Sequence, residues 1–268
     1  MSSELLVSAR HLHDLIQAGK CVVVDCRFDL TGPEKGHANW LAAHIPGAGY
    51  AHLDNDLAAP ISPDSGRHPL PDASAFAEFL ASLGWSPGTL LVAYDDGSNA
   101  IASRLWWLMR YFGQAAALLD GGLAAWVREN RPLDSSLIFP ERAIFHVARS
   151  GAGIADREYI NARLDDASVA LMDVRSPDEF SGKKRMAARG GHSPGAIHYE
   201  WTRVLDRDND LRLRPADQIR DELRALGLTP DREIITYCQT HHRSAHSYIV
   251  LKWLGYPQVR GYPGAWSD

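Results

Sequence analysis

Cysteine is scarce in this sequence, and its scarcity excludes the small disulfide-built folds. The 268 residues contain three cysteines, Cys21, Cys26 and Cys238, an odd number that cannot form a fully paired disulfide framework. The sequence therefore predicts free thiols in a reducing compartment, most simply the cytoplasm. Cys21 and Cys26 flank the apolar run VVVD, so both are expected to be buried thiols at the edges of a strand.

Long apolar runs and an excess of positive charge are also missing. No segment approaches the roughly 18 consecutive apolar residues of a membrane-spanning helix, and charges interrupt the first residues where a signal peptide would be apolar. Lys and Arg number 28 and Asp and Glu 33, which gives a formal net charge of −5. We therefore expect no binding to nucleic acid or to a membrane, and positive potential only locally.

What the sequence does contain is an internal repeat. Four blocks recur in the same order: VVVDCR and ALMDVR, AHIPGAGY and GHSPGAIHY, FLASLGWSPGTLLVAYD and ELRALGLTPDREIITYC, LDGGLAAW and GYPGAW. The offset between the copies falls from 173 − 25 = 148 at Asp25 and Asp173 to 266 − 126 = 140 at Trp126 and Trp266. The order is kept and the offset drifts only through loop deletions, so the chain is a duplicated domain.

Each copy alternates short apolar runs with helical patterns. Continuous β-branched runs are typical of strands buried on both faces of a parallel sheet, and segments such as QIRDELRALG have helical spacing that ends in glycine. The sequence predicts an α/β fold of two similar domains, each a mainly parallel sheet with helices on both faces. The predicted domains are 1–130 and 151–268, and a linker that contains prolines joins them over 131–150.

Cys238 follows the strand pattern EIITY and precedes a helix predicted to begin at about Ser244. At such a junction backbone amides and the helix N-terminus supply partial positive charge, which lowers the pKa of a thiol. A thiol of pKa ~8.5 is only about 3% ionised at pH 7, and lowering the pKa by two units makes about three-quarters of it thiolate. We therefore interpret Cys238 as a nucleophile. The predicted substrate-binding residues are Gln239, Thr240, His241, His242, Arg243, Ser244 and Arg185.

A packed structural thiol and a metal ligand are the other interpretations of Cys238. A purely structural role is disfavoured because the loop that follows is polar and offers no apolar neighbours. A metal site made of Cys238, His241, His242 and His246 is disfavoured because adjacent histidines diverge and no second ligand pair rich in cysteine is present. We therefore predict no metal.

The duplicated α/β unit, the Asp-x-Arg strand ends, the H-x-P-G-A turn and the single cysteine loop together resemble the tandem-domain rhodaneses. The resemblance covers essentially the full chain, and the loop CQTHHRS is similar to that of a bacterial subgroup. It implies a thiosulfate sulfurtransferase in which Cys238 carries sulfur as a persulfide, with no other cofactor. The acceptor would be cyanide, another small thiophile or a thiol protein. The first copy is implied to be inactive, since Asp95 stands where Cys238 would be.

Two related enzyme classes are alternatives. In 3-mercaptopyruvate sulfurtransferases an arginine stands where this chain has Glu179, which argues against that substrate, although Arg185 or Arg189 can substitute for it. The dual-specificity phosphatases of the same fold use a C-x5-R loop that holds a phosphate. Here Cys238 and Arg243 enclose four residues, and a smaller loop suits a sulfur atom better than a phosphate or arsenate ion. A non-catalytic persulfide carrier would have the same loop, and only turnover would distinguish it.

Overall fold

Two parallel sheets, one in each half of the chain, organise the fold. The computed structural model describes residues 5–62, 65–151 and 153–268, and the chain divides into two units. The first unit consists of Met1–Ala59, Leu70–Ser150 and Asp206–Arg212, and the second of Pro60–Pro69, Gly151–Leu205 and Leu213–Asp268. The predicted bounds of 1–130 and 151–268 assumed that each domain is one continuous segment. By contacts, Pro60–Pro69 belongs to the second unit and Asp206–Arg212 to the first, and the predicted bounds stay a prediction.

The first unit contains a five-stranded sheet in which every neighbouring pair is parallel. Its strands are β1 (Leu6–Val7), β2 (Cys21–Asp25), β3 (Gly49–Tyr50), β4 (Leu90–Tyr94) and β5 (Ala116–Leu119), in the order β1-β5-β4-β2-β3. Its helices are α1 (Ala9–Gln17), α2 (Glu34–Ala42), α3 (Ala73–Ser82), α4 (Ala102–Tyr111) and α5 (Gly122–Arg128). The central strands are apolar because helices cover the sheet, and Val23, Val92 and Trp126 belong to this core.

The second unit repeats this arrangement. Its helices are α6 (Arg157–Asn161), α7 (Pro177–Phe180), α8 (Ala216–Ala225) and α9 (Arg243–Trp253). Its sheet contains β6 (Val169–Asp173), β7 (Ile197–His198), β10 (Glu233–Tyr237) and β11 (Val259–Gly261), in the parallel order β11-β10-β6-β7. A parallel bridge from Ile154 to Gly261 extends it at the position that β1 has in the first sheet. Two short strands, β8 (Leu205–Asp206) and β9 (Arg212–Leu213), pair separately.

The predicted α/β fold with two similar domains is confirmed by this repeated parallel order. Over 131–150 the structure has an isolated bridge from Asp134 to His44 and otherwise no regular secondary structure. Cys26 is fully buried directly after β2, as expected, whereas Cys21 at the start of that strand is partly exposed. Over the described ranges, no helix combines the length and the apolar character that a membrane span requires.

Candidate active site

The carboxyl ends of β6 and β10 carry the motifs that the sequence repeats. Asp173 and Tyr237 are register partners at these ends. The Arg175 guanidinium donates to the Asp173 carboxylate from Nε and Nη2, with the shortest contact 2.6 Å, and from Nη2 to the Gly191 carbonyl at 2.7 Å. The Ser193 amide donates to the Tyr237 hydroxyl at 3.2 Å. The Asp-x-Arg strand end and the H-x-P-G-A turn are thus held together beneath the cysteine loop.

The first unit has the same frame. Arg27 pairs with Asp25 and donates to the Ala43 carbonyl at 2.6 Å, and the Ile45 amide donates to the Tyr94 hydroxyl at 3.2 Å. Each contact is the counterpart of one in the second unit. The repeat seen in the sequence is therefore a repeat of buried hydrogen bonds as well as of strands.

Cys238 is the first residue after β10, and its sulfur is surrounded by hydrogen-bond donors. The His241 amide donates to Cys238 Sγ at 3.1 Å, and the Ser244 hydroxyl lies 3.5 Å from the same atom. His241 has a left-handed backbone, with φ of 62°, and this turn curls the loop around the sulfur. The helix α9 begins at Arg243, one residue before the predicted start at Ser244, so its N-terminal end also faces the loop.

These surroundings favour the ionised form of the cysteine. Burial alone would raise the pKa of the Cys238 thiol, because a charge loses its solvation in the interior. The positive charge of Arg243, the Ser244 hydroxyl and the backbone amides of Thr240 and Ser244 outweigh that effect, so the pKa lies below the ordinary value. The direction agrees with the one predicted for a thiol at this junction.

The loop itself is buried, which differs from the expectation drawn from its polar sequence. Cys238 and His241 have no exposed surface, and Gln239, Thr240 and His242 are between 3% and 5% exposed. Polar side chains can be buried here because they bond to one another and to nearby backbone. The polar sequence of the loop therefore did not indicate its burial, and the donors around the sulfur favour its ionised form.

The predicted substrate-binding side chains of this loop make contacts within the protein. Gln239 Nε2 donates to the Met186 carbonyl at 3.5 Å, and Thr240 Oγ1 lies 3.0 Å from His242 Nδ1. His241 Nδ1 lies 2.8 Å from the Ser244 hydroxyl. The structure thus brings the six loop residues together, and it turns the two histidine rings toward different partners.

Arg243 is paired with Glu179, which the sequence identified only as the residue that disfavours mercaptopyruvate and not as a partner of Arg243. Glu179, in α7, accepts from Nη1 at 2.8 Å and from Nη2 at 2.9 Å. Burial alone would raise the pKa of Glu179. The hydrogen bonds and positive charge of Arg243 outweigh that effect, and the pKa of Glu179 is about 2. Ser176 forms a capping box with Glu179. The sequence pattern S-x-x-E at 176–179 was the available signal for this local fold, but it does not identify the distant partner.

Arg185 lies in the long loop and is exposed. Its guanidinium donates to the carbonyl of Ala188, within the same loop. Its neighbour Met186 provides the carbonyl that Gln239 contacts, which connects this loop to the cysteine loop. The donor-binding role of Arg185 stays a prediction.

The counterpart of Cys238 in the first unit is Asp95, directly after β4. Its carboxylate accepts from four backbone amides of its own loop and the start of α4, at 2.7–3.4 Å: those of Gly97, Asn99, Ile101 and Ala102. Burial raises the pKa of Asp95 to about 6, although the amides act in the opposite direction. The loop from Asp95 to Ile101 has seven residues, whereas the loop from Cys238 to His242 has five.

A cavity of about 530 Å³ lies beside the cysteine loop in the second unit. Its lining includes Arg157, Arg189, Tyr262 and Trp266, and the Trp266 amide donates to the carbonyl of Cys238 at 3.0 Å. The lining of the cavity therefore contacts the cysteine loop through the loop backbone. Among the residues that the structure describes, no group of three or more His, Cys, Asp or Glu side chains has an arrangement suited to a metal ion.

The chain contains two copies of a parallel-sheet domain, and the second copy carries a cysteine in an amide-lined loop. This combination defines a class of two-domain α/β proteins. The rhodanese-like domain family matches this chain twice, over residues 8–129 and 156–268. The chain therefore belongs to the rhodanese family.

Relatives and solved structures agree with this assignment. The chain is 38% identical over 272 residues to the thiosulfate sulfurtransferase of Azotobacter vinelandii, covering 100% of this chain and 94% of the relative. It is 41% identical over 236 residues to the thiosulfate sulfurtransferase of Pseudomonas aeruginosa, covering 86% and 84%. The crystal structure of the 3-mercaptopyruvate sulfotransferase SseA from Escherichia coli is similar with a TM-score of 0.88 and 27% identity, covering 99% and 100%.

Proposed function

We propose that the protein is a thiosulfate sulfurtransferase in which Cys238 carries the transferred sulfur. The observation that supports this most directly is the placement of Cys238 Sγ, 3.1 Å from the His241 amide and 3.5 Å from the Ser244 hydroxyl. A sulfur atom so placed is stabilised as an anion, and the anion is the nucleophile. Two thiosulfate sulfurtransferases to which the chain is 38% and 41% identical support thiosulfate as the donor.

In the first half of the reaction the Cys238 thiolate attacks the outer sulfur of thiosulfate. A new S–S bond forms to Cys238 Sγ, and the S–S bond of thiosulfate breaks, with its electron pair leaving on sulfite. The persulfide is negatively charged at its terminal sulfur. The loop amides and the fixed charge of Arg243 stabilise that charge, because donors aimed at a developing anion act most strongly in a buried site.

In the second half cyanide or another thiophile attacks the terminal sulfur of the persulfide. The bond between the two sulfur atoms breaks, its electron pair returns to Cys238, and thiocyanate or a new persulfide leaves. The enzyme alternates between a free and a sulfur-loaded form, so we expect ping-pong kinetics. The persulfide is itself the carrier, and we propose that no other cofactor takes part.

Access to the sulfur requires local movement. Cys238 has no exposed surface, so a donor can reach Sγ only after the side chains over it shift. We propose that the donor is a small anion and that the acceptor is a small thiophile or the thiol of a protein. We propose a cytoplasmic location, since the sequence has only three cysteines and free thiols are maintained in reducing compartments.

A 3-mercaptopyruvate donor is the second candidate, because SseA from Escherichia coli has the same fold. The position of Glu179 disfavours it: the carboxylate lies against Arg243 at 2.8 Å and 2.9 Å. A second carboxylate, that of mercaptopyruvate, would meet a negative charge there instead of a free cation. This makes thiosulfate, whose transferred group is sulfur alone, the better fit.

The test is the mass of the intact protein after incubation with thiosulfate and desalting, with Cys238→Ser as the matched control. We expect the wild type alone to gain one sulfur atom, and cyanide to remove it with release of thiocyanate. Sulfur loading by mercaptopyruvate but not by thiosulfate would identify mercaptopyruvate as the donor. Loading without turnover by cyanide or small thiols would indicate a carrier. If neither donor loads sulfur, the proposal is wrong, and an aryl phosphate assay would test the phosphatase alternative.

A further inference from the structure

Cys238 lies at one end of a short chain of hydrogen bonds that leads to a buried histidine. Ser244 Oγ is 3.5 Å from Cys238 Sγ, and His241 Nδ1 is 2.8 Å from Ser244 Oγ. All three residues have no exposed surface. The sulfur transfer described above starts from a thiolate, and these contacts provide a route for the proton that a thiol must lose first.

The number of protons on each group fixes how the route can be arranged. Ser244 has a single hydroxyl proton and can also accept. When that proton is donated to a Cys238 thiolate, the hydroxyl oxygen can only accept from the ring of His241, so Nδ1 carries a proton. When Cys238 is a thiol, its S–H donates to Ser244, and the hydroxyl donates to an unprotonated Nδ1. The two arrangements differ by the shift of two protons.

We infer that Ser244 and His241 form a relay that takes the proton from the Cys238 thiol of the free enzyme. The S–H bond breaks as an O–H bond forms on Ser244, and the proton that Ser244 already carried passes to Nδ1 of His241. The products are a thiolate and an imidazolium, so protons and charge balance and no oxidant is needed. This inference rests on the proposed function. It makes His241 a positioning residue that acts through Ser244, rather than a ligand of the donor.

The backbone places His241 for this role. Its φ of 62° is in the left-handed region, which residues other than glycine seldom adopt. The same turn directs the amide of His241 to the sulfur at 3.1 Å and its ring to the hydroxyl group that contacts the sulfur. Asparagine tolerates this conformation better than most residues, so His241→Asn removes the base while keeping the shape of the loop.

A histidine outside the loop supplies a matched control. His198, in β7, has its Nε2 2.8 Å from the carbonyl of Arg175, and its ring stacks on Phe180 with centroids 4.7 Å apart.

The other titratable and charged groups near the loop also have partners. His242 Nδ1 lies 3.0 Å from Thr240 Oγ1, and its ring is edge-on to that of His68 with centroids 6.2 Å apart. Arg243 pairs with Glu179, and its charge also acts on Cys238. His246 in α9 lies edge-on to Trp201.

The experiment is the rate of Cys238 alkylation by iodoacetamide from about pH 5 to about pH 10, measured on the peptide that contains Cys238. His241→Asn, Ser244→Ala and His198→Asn are compared with the wild type, and circular dichroism checks that each is folded. Ser244→Ala removes a hydrogen bond to the thiolate, and His241→Asn removes the imidazolium that balances its charge. Each is expected to raise the apparent thiol pKa by about one to two pH units. Alkylation below that pKa then falls about 10- to 100-fold, and His198→Asn follows the wild type.

Steady-state kinetics supply a second readout. The relay acts on the free enzyme, so kcat/KM for thiosulfate should fall in His241→Asn and Ser244→Ala, while kcat/KM for cyanide, which reports on the persulfide form, should not change. An unaltered pH profile in both variants, or an equal shift in His198→Asn, overturns the relay. Alkylation needs no sulfur donor, so failure of the wild type to load sulfur would count against the proposed function and leave the test of the relay intact.

Discussion

Arg243 and Glu179 face each other through two parallel hydrogen bonds, from Nη1 to Oε2 at 2.8 Å and from Nη2 to Oε1 at 2.9 Å. Both terminal nitrogens of the guanidinium are thereby occupied. Arg243 acts on Cys238 as a fixed charge and not as a mobile clamp that closes on the donor. The carboxylate also limits how much net positive charge the site presents.

Removing the guanidinium should slow the attack on the donor. In Arg243→Ala the Cys238 thiolate loses the charge that stabilises it, and we expect kcat/KM for thiosulfate to fall about 10- to 150-fold, the equivalent of ~1.5–3 kcal/mol for a charged hydrogen bond. Steady-state rates at fixed pH measure this. Arg224→Ala, which removes an exposed arginine paired with Asp221, is the control. If kcat/KM for thiosulfate is the same in the wild type and in Arg243→Ala, Arg243 does not act in the reaction.

Breaking the same pair from its other side should reduce stability. Glu179→Gln leaves Arg243 buried without its counterion, and we expect the free energy of unfolding to fall by about 3–5 kcal/mol. The matched control is Asp221→Asn, whose partner Arg224 is exposed, and there a change within about 0.5 kcal/mol is expected. Denaturation by urea measures both. Equal losses of unfolding free energy in the two variants would contradict the claim that burial makes the Arg243–Glu179 pair sensitive to loss of one partner.

The pair also makes stability depend on acid pH. The pKa of Glu179 is about 2 in the folded protein and ~4.3 in an unfolded chain. Because the folded pKa is lower, the stabilisation by the ionised carboxylate is fully present above about pH 4.3 and is lost as the pH falls toward 2. The difference in unfolding free energy between wild type and Glu179→Gln should therefore shrink on acidification. A difference that stays constant over this range would show that Glu179 has an ordinary pKa.

Asp95 should give a pH dependence of the opposite sign. Burial raises its folded pKa to about 6, against ~3.9 when unfolded, so the folded protein holds the proton more tightly. Its contribution to stability is fully present below about pH 3.9 and is lost as the pH rises through 6, by about 3 kcal/mol. Asp95→Asn abolishes the titration. The wild type should therefore lose stability relative to this variant between about pH 4 and 6, and a flat difference would contradict the raised pKa.

Arg185 is expected to contribute little. Its side chain is exposed and donates within its own loop, and an exposed charge is worth at most about 1 kcal/mol, or about fivefold in rate, and is screened by salt. We expect Arg185→Ala to change kcat/KM for thiosulfate by no more than this at low ionic strength, and not at all in high salt. A loss above tenfold that persists in salt would make Arg185 a direct ligand of the donor.

The fold and the centre of the site could be predicted from sequence because both have local signals. Repeated strand blocks indicated two α/β domains, and the polar loop between a strand and a helix identified Cys238. The ion pair of Arg243 was not predictable in this way, since Glu179 lies in a different element and only the packing of α7 near α9 brings the two together. The burial of the loop was missed for a similar reason: hydrogen bonds between side chains, such as that of His241 to Ser244, do not appear as a periodic pattern. The roles of the loop residues in binding stay predictions.

The two loops differ in length as well as in the residue that begins them. The loop of the first unit spans seven residues and encloses the carboxylate of Asp95, whereas that of the second spans five and encloses a sulfur atom. A carboxylate extends one atom further from the backbone than a thiolate and presents two oxygens. The longer loop thus encloses the longer side chain. In Asp95→Cys the sulfur would end one atom short of the position where the carboxylate oxygens meet the amides of Gly97, Asn99 and Ile101, so a loop that holds sulfur in the first copy would need to be shorter as well as to begin with cysteine.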